Sequence, residues 1–325
     1  MSQTNKIALV IGASGGVGGE TAAALNRHGW TVRALTRRPQ PGNATAEWII
    51  GDAMNAADVL RAAQGVSLIV HAANPPGYRD WDKVVLPMLD NTIAAAKANN
   101  ARIMLPGTIY NFGPDAFPVL REDSPQHPLT RKGAIRVAME ERLRAASTDG
   151  APVLIVRAGD FFGPTTSGNS VFSAVMVERG KPVQRIIDPA RASHAWAYLP
   201  DLAETIALLM DRANELSAFE RFHFAGHQLA RGEMAAAIRR ATDNPRLRVW
   251  PFPWFLVVGL QPFVRLFCEM AEMRYLWRES ISIDSAKLRA FLGNALPATP
   301  LDKAVRETLT GLGCLPEAGG KAGAR

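Results

Sequence analysis

This 325-residue sequence predicts an α/β protein: a doubly wound parallel sheet with a smaller C-terminal α+β lobe. Three observations carry the prediction. Short apolar runs alternate with helical patterns through the first half of the chain. Those runs are almost continuously apolar, as strands buried on both faces require. A glycine-rich turn, GASGGVG at 12–18, joins the first run to the first helix.

The elements follow in order. IALVI (7–11) reads as a strand, and 17–28 as a helix that Gly29 ends. TVRAL (31–35) and EWII (47–50) are the second and third strands, followed by a short helix near 56–63. SLIVHAA (67–73) is the fourth strand. A long helix over 81–98 contains Pro87, which is expected to kink it or mark its start. RIML (102–105) is the fifth strand, LTRKGAIRVAMEERL (129–143) the next helix and VLIVR (153–157) the sixth strand. Beyond about residue 160 glycine and proline recur and the alternation loosens. A helix near 171–179, a strand AWAYL (195–199), a helix DLAETIALLM (201–210), the run FHFAG and further short elements complete the chain. The boundaries expected are a dinucleotide-binding domain over 1–163 with elements near 191–213 returning to it. A substrate lobe over 164–190 and 220–312 and a disordered tail over 313–325 complete the division.

Composition narrows the function classes. Apolar residues make up 47% and charged residues 21%, an ordinary globular balance. The net charge of +7 is scattered rather than gathered into a stripe, so no nucleic-acid footprint is expected. Cys268 and Cys314 form no CxxC pattern, which argues against a disulfide framework or zinc site and fits a reducing, cytoplasmic setting. No signal peptide is read at MSQTNKIALVIG. The apolar stretch 249–267 is broken by prolines, Gln261 and Arg265, so no transmembrane segment is expected there. It reads as a buried or lid-forming helix, with a membrane contact or dimer surface as the lesser possibility.

In GASGGVG, Gly12, Gly15 and Gly18 give GxxGxxG between strand and helix, the Rossmann-type arrangement. Glycine allows the tight turn and close backbone approach, and the helix N-terminus then faces a pyrophosphate. Ser14, Gly15, Gly16, Val17 and Gly18 are the candidate cradle together with Gly12. An NAD site usually ends its second strand with Asp or Glu. This chain reads LTRRP, which sets Arg37 and Arg38 where a 2′-phosphate would sit, and NADP is expected in preference to NAD. The bland alternative, an arginine on a surface loop, applies most to Arg38.

With GD at 51–52, HAAN at 71–74, TIYNFGP (108–114), REDSP (121–125), VRAGDFFGP (156–164), AYLPDLAE (197–204) and FHFAG (222–226), the chain resembles the extended short-chain dehydrogenase/reductases, the NAD-dependent epimerase/dehydratase-like group. The resemblance implies that Asp52 contacts the adenine and that Ala72 and Ala73 line the cofactor. Asp52 alone could equally cap a turn, and Asp201 could simply start its helix. The resemblance further implies a homodimer through helices flanking the sheet, and a buried structural role for Arg157.

One departure stands out. The family pattern carries a YxxxK pair and a Ser or Thr that polarises the substrate. In PLTRKGAIRVAME (128–140), Lys132 falls at the Tyr position and Arg136 at the Lys position, and the usual Ser falls near Pro106 with Thr108 two residues away. Lys132, Arg136 and Glu140 share one helical stripe. Lys132 is therefore a candidate proton donor, and Arg136 a candidate donor to the nicotinamide ribose that cannot shuttle protons. The alternative is a structural stripe in which Arg136 pairs with Glu140. Tyr110, Tyr198, His194 and His223 are further candidates for the missing acid–base work.

The expected function is an atypical NADP-dependent oxidoreductase acting by hydride transfer on a carbonyl or related group of a small-molecule substrate. A non-catalytic NADP-binding redox sensor or assembly subunit is the alternative, favoured by the altered dyad. A nucleotide-sugar epimerase or dehydratase is the third reading.

Overall fold

The computed structural model describes residues 6–40, 45–75, 81–166, 170–261 and 265–316. The first half runs β1 (Ile7–Ile11), α1 (Gly16–Arg27), β2 (Thr31–Thr36), β3 (Glu47–Ile50), α2 (Ala56–Ala62), β4 (Leu68–His71), α3 (Trp81–Asn99), β5 (Arg102–Gly107), β6 (Val119–Leu120), α4 (Arg131–Ser147) and β7 (Val153–Ala158). The second runs β8 (Asp160–Phe162), β9 (Arg185–Asp188), β10 (His194–Tyr198), α5 (Leu199–Asp211), β11 (Phe219–Phe224), β12 (His227–Leu229), α6 (Glu233–Ala241), β13 (Arg248–Pro251), α7 (Trp254–Leu260), α8 (Arg265–Glu272), β14 (Ser282–Ile283), α9 (Ala286–Leu292) and α10 (Leu301–Gly311).

Seven parallel strands form the central sheet in the order β11-β7-β5-β4-β1-β2-β3. The chain leaves β1 toward β2 and β3, then returns to build outward from β4. The order therefore reverses between β1 and β4, and a crevice opens there at the carboxyl ends of the strands. β4 and β7 are buried at every position, which is why their sequences are apolar without alternation. Helices α2, α3 and α4 cover one face, in a core with Leu9, Ile69, Ile103 and Ile155. Helices α1 and α5 cover the other, with Val10, Val70 and Val156. A second core, rich in aromatic residues such as Phe162, Phe172, Trp196, Trp254 and Trp277, fills the C-terminal lobe around the small sheet β12-β10-β8.

Several boundaries differ from the sequence reading. The run at 219–224, placed in the substrate lobe, instead extends the central sheet beside β7. The expected helix near 171–179 is a single π-helical turn over Phe172–Met176. Helix α3 runs through Pro87, which sits two turns from its start and neither begins nor ends it. The expected tail starts later than residue 313, because Cys314 is buried and its thiol donates to the Glu178 carbonyl at 3.3 Å. Residues 317–325 lie outside the described residues. The stretch 249–267 divides into β13, α7 and the start of α8. Trp254 and Val257 are buried, while Phe255, Leu256 and Leu260 are exposed. Its residues 262–264 lie outside the described residues. No helix among the described residues is long and apolar enough to cross a membrane.

His28, at the C-terminal end of α1, joins α1 to α5. Its Nδ1 meets Asp211 and its Nε2 meets Glu204 at 2.7 Å. Burial alone would lower its pKa, but the hydrogen bonds to Glu204 and Asp211 prevail and raise it above 6.5. A raised folded value means the contribution is fully present below the unfolded pKa and is lost as pH rises through the folded one. His28→Gln should therefore lower the melting temperature more near pH 6 than near pH 9. Equal losses at both pH values, by thermal unfolding, would contradict a charged His28 clamp.

Candidate active site

The glycine turn is built by contacts no side chain could share. Gly12 has φ +97°, and a Cβ there would lie 2.6 Å from the Ala72 carbonyl carbon and oxygen and 2.8 Å from the Ala73 nitrogen. The turn thus passes directly against the end of β4. A Cβ on Gly18 would lie 2.3 Å from the Gly12 oxygen, so α1 can start this close to β1 only with glycine there. Gly15 is the N-cap of α1 and supplies no side-chain cap, so the first turn of a 12-residue helix offers its N–H groups to whatever lies in front of it.

In front of it is a cleft over the crevice. Gly12, Ser14, Gly15, Gly16, Val17 and Gly18 form one wall. Ala72, Ala73 and His71 come from the end of β4, and Thr108 and Tyr110 from the segment after β5. Arg136 reaches in from α4, with its guanidinium 5.1 Å from the centre of the Trp81 ring. Asp160 and Phe161 close the opposite side.

The structure brings most of the sequence candidates to this one cleft, but not all. Arg37 and Arg38 are exposed just beyond β2, the strand adjoining β1, on the side of the sheet away from β4. Asp52 is half-buried and not on the cleft wall. Its Oδ1 accepts from the Met54 N–H at 3.0 Å, so its side chain closes a turn. Lys132 also leaves the wall. It is 1% exposed, and its ammonium lies 3.7 Å from Glu272 Oε2 at the end of α8. Glu272 also accepts the Arg131 N–H at 2.6 Å, so one carboxylate holds the start of α4. The physical reason is desolvation, since a buried ammonium requires a counter-charge.

The Arg136–Glu140 pairing does not form, because Glu140 belongs to Arg157. Arg157, fully buried in β7, donates to Glu140 through Nε at 2.8 Å and Nη2 at 2.6 Å. Arg157 Nη1 also meets His223 Nε2 at 3.0 Å. Burial, with Arg157 beside it, pushes the His223 pKa down to about 3, so this imidazole stays neutral and structural. Tyr198 is buried, donates its hydroxyl to Glu307 and lies off the cleft wall. His194 is bonded to Asp160.

Two cleft residues escaped the sequence reading. His71 is 1% exposed, with Nδ1 2.8 Å from Thr92 Oγ1. Burial, then the Arg136 charge, lowers its pKa to about 4, so it presents a neutral ring. HAAN at 71–74 contains it, beside the two alanines that line the same wall. Asp160 begins just past the end of β7. A carboxylate at the carboxyl end of a parallel strand was a legible signal, since ligands sit there in such sheets.

Comparison with known proteins decides the family. The family model described as the NAD dependent epimerase/dehydratase family matches residues 8–224, about two thirds of the chain. The chain belongs to that family. Among curated relatives it is 26% identical over 226 residues to the uncharacterized protein y4nL of Sinorhizobium fredii (strain NBRC 101917 / NGR234), covering 62% of this chain and 63% of that one. It is also 26% identical over 173 residues to the 3-diazoavenalumate denitrifying reductase of a Streptomyces species, covering 49% and 57%. The chain thus spans less than two thirds of the length of either. Among solved structures, the UDP-glucuronic acid 4-epimerase from Bacillus cereus, in complex with UDP-glucuronic acid and NAD, superposes with a TM-score of 0.72 at 14% identity. The superposition covers 94% of this chain and 98% of that one, a likeness of fold.

Proposed function

We propose that the cleft binds a nicotinamide dinucleotide, NADP in preference to NAD, and that the protein transfers hydride to or from a carbonyl or related group of a small organic molecule. The observation that carries this reading is the glycine cradle. Gly12 and Gly18 stand where any Cβ would clash with backbone, so only glycine lets this turn form, and the uncapped start of α1 opens into the same cleft. Such a start suits a pyrophosphate. When bound, the cofactor supplies the hydride. Arg136 is assigned to hydrogen-bond the ribose nearest the reacting ring, held in place by its contact with Trp81. Thr108 and Tyr110 are assigned to the substrate side of the cleft. Lys132 is assigned to anchoring α4 through Glu272, and Asp52 to its turn.

Arg37 and Arg38 are assigned to the 2′-phosphate. Arg37→Glu should weaken NADPH by roughly 30-fold while leaving NADH within about three-fold, since only the phosphate contact is removed. Equal losses in a fluorescence titration of both cofactors would remove the assignment. The burial of Lys132 favours a second reading, a redox sensor that keeps the cofactor without turnover. Its mark would be a strong bias between NADP⁺ and NADPH with no carbonyl reduced. Epimerisation of a nucleotide sugar, the activity named for the Bacillus cereus neighbour, is a third reading.

A further inference from the structure

The far wall of the cleft holds an acid–base pair that the family dyad does not account for. Gly159 lets β7 turn into β8 tightly against β10, since a Cβ on it would lie 2.1 Å from the Ala195 oxygen. β8 and β10 then run parallel, with Asp160 beside Trp196, and the first residue of β10, His194, faces the Asp160 carboxylate. His194 Nε2 lies 2.7 Å from Asp160 Oδ2. The Asp160 side chain keeps 15% of its surface and stands on the cleft wall, whereas His194 keeps 2%. The imidazole is clamped against Trp277, with ring centres 3.9 Å apart and planes 16° from parallel, and it meets Trp196 edge-on. Its Nδ1 is buried and has no hydrogen-bond partner among the described residues. Asp188, on β9, carries charge toward His194, with Arg231 beside it, and Arg136 stands on the same cleft as Asp160.

Glu140 is held by a fixed cation, Arg157, which cannot exchange a proton with it. Asp160 is held instead by an imidazole, whose Nε2 meets the carboxylate at 2.7 Å. Such a pair can give up a proton and regain it without leaving an uncompensated charge.

We propose that Asp160 is the proton-delivering catalytic residue of this cleft, and that His194 is the positioning residue that holds and recharges it, in place of the missing tyrosine. The inference rests on the carbonyl-reduction reading above. A bound reduced nicotinamide would supply the hydride to the carbonyl carbon, and as the π pair moves to the carbonyl oxygen Asp160 gives that oxygen its proton. Asp160 then takes the proton on His194 Nε2, and the pair regains one from the cleft through Asp160, its solvent-facing member, so one carbonyl, one hydride and one proton give one alcohol.

The test uses the full chain with NADPH and a panel of aromatic and aliphatic aldehydes and ketones. Asp160→Asn should lower kcat by about 100-fold or more, leave KM and NADPH affinity within about three-fold, and erase the ionisation of the pH–rate profile. His194→Gln, which can still donate to Asp160, should lower kcat by about ten-fold and shift that ionisation. A structural role would instead lower thermal stability and cofactor affinity and leave the pH profile unmoved, which would overturn the proposal. Unchanged turnover in Asp160→Asn would overturn it too, with the reduction reading intact. Wild-type protein that binds NADPH but reduces no carbonyl in the panel would remove that reading and this proposal together.

Discussion

Glu140→Ala is expected to cost about 3–5 kcal/mol of folding stability, the usual loss when one partner of a buried ion pair is removed. Glu140 is 5% exposed and Arg157 fully buried. The carboxylate takes two hydrogen bonds from Arg157, a third from Asn111 at 3.0 Å and a fourth from Gln126 at 3.3 Å. Removing it strands a guanidinium whose remaining partners are the neutral His223 and the Glu122 carbonyl. The network joins α4 to β7 and β11, and α4 carries Arg136 into the cleft, so loss of cofactor affinity should accompany the loss of stability. The double variant Glu140→Leu with Arg157→Met should recover much of the stability, because no buried charge is left alone. Chemical denaturation measures both. A single-variant loss under about 1 kcal/mol would show that the pair is dispensable.

Gly12→Ala is expected to abolish cofactor binding. Two costs add at this position. The positive φ costs about 1–3 kcal/mol for a residue with a side chain. The new Cβ would also meet backbone atoms of Ala72 and Ala73 inside 3 Å, so the turn or the end of β4 has to move. Either movement spoils the cradle. Gly29 separates the two costs, since it has φ +78° with nothing within 4 Å of its Cβ position. Gly29→Ala should show the backbone cost alone and bind cofactor normally.

The sheet was legible because parallel strands buried on both faces leave a local mark. IALVI, SLIVHAA and VLIVR need no knowledge of their partners. The strand at 219–224 reads FERFHF, with only its last three residues buried, so it lacks that mark, and sequence order alone places it with the lobe that follows. The glycine turn was legible because its constraint is local backbone geometry. The long-range partnerships of the charged side chains were not. Lys132 and Arg136 share a stripe on paper, yet a glutamate more than a hundred residues away takes the ammonium and leaves only Arg136 on the cleft. Asp160 and His194 are 34 residues apart, and only the pairing of β8 with β10 brings them together. Pairings of this kind depend on tertiary register, which no local pattern records.

That the cradle formed by Gly12, Gly15 and Gly18 holds a nicotinamide dinucleotide underlies every role assigned to the cleft. A titration of the wild-type protein and Gly12→Ala with NADPH, followed by nicotinamide fluorescence, tests it most directly. The wild type should bind saturably at about micromolar Kd or tighter, and Gly12→Ala at least about 100-fold more weakly. No fluorescence change with the wild type up to about millimolar NADPH, or equal binding by both proteins, would contradict it.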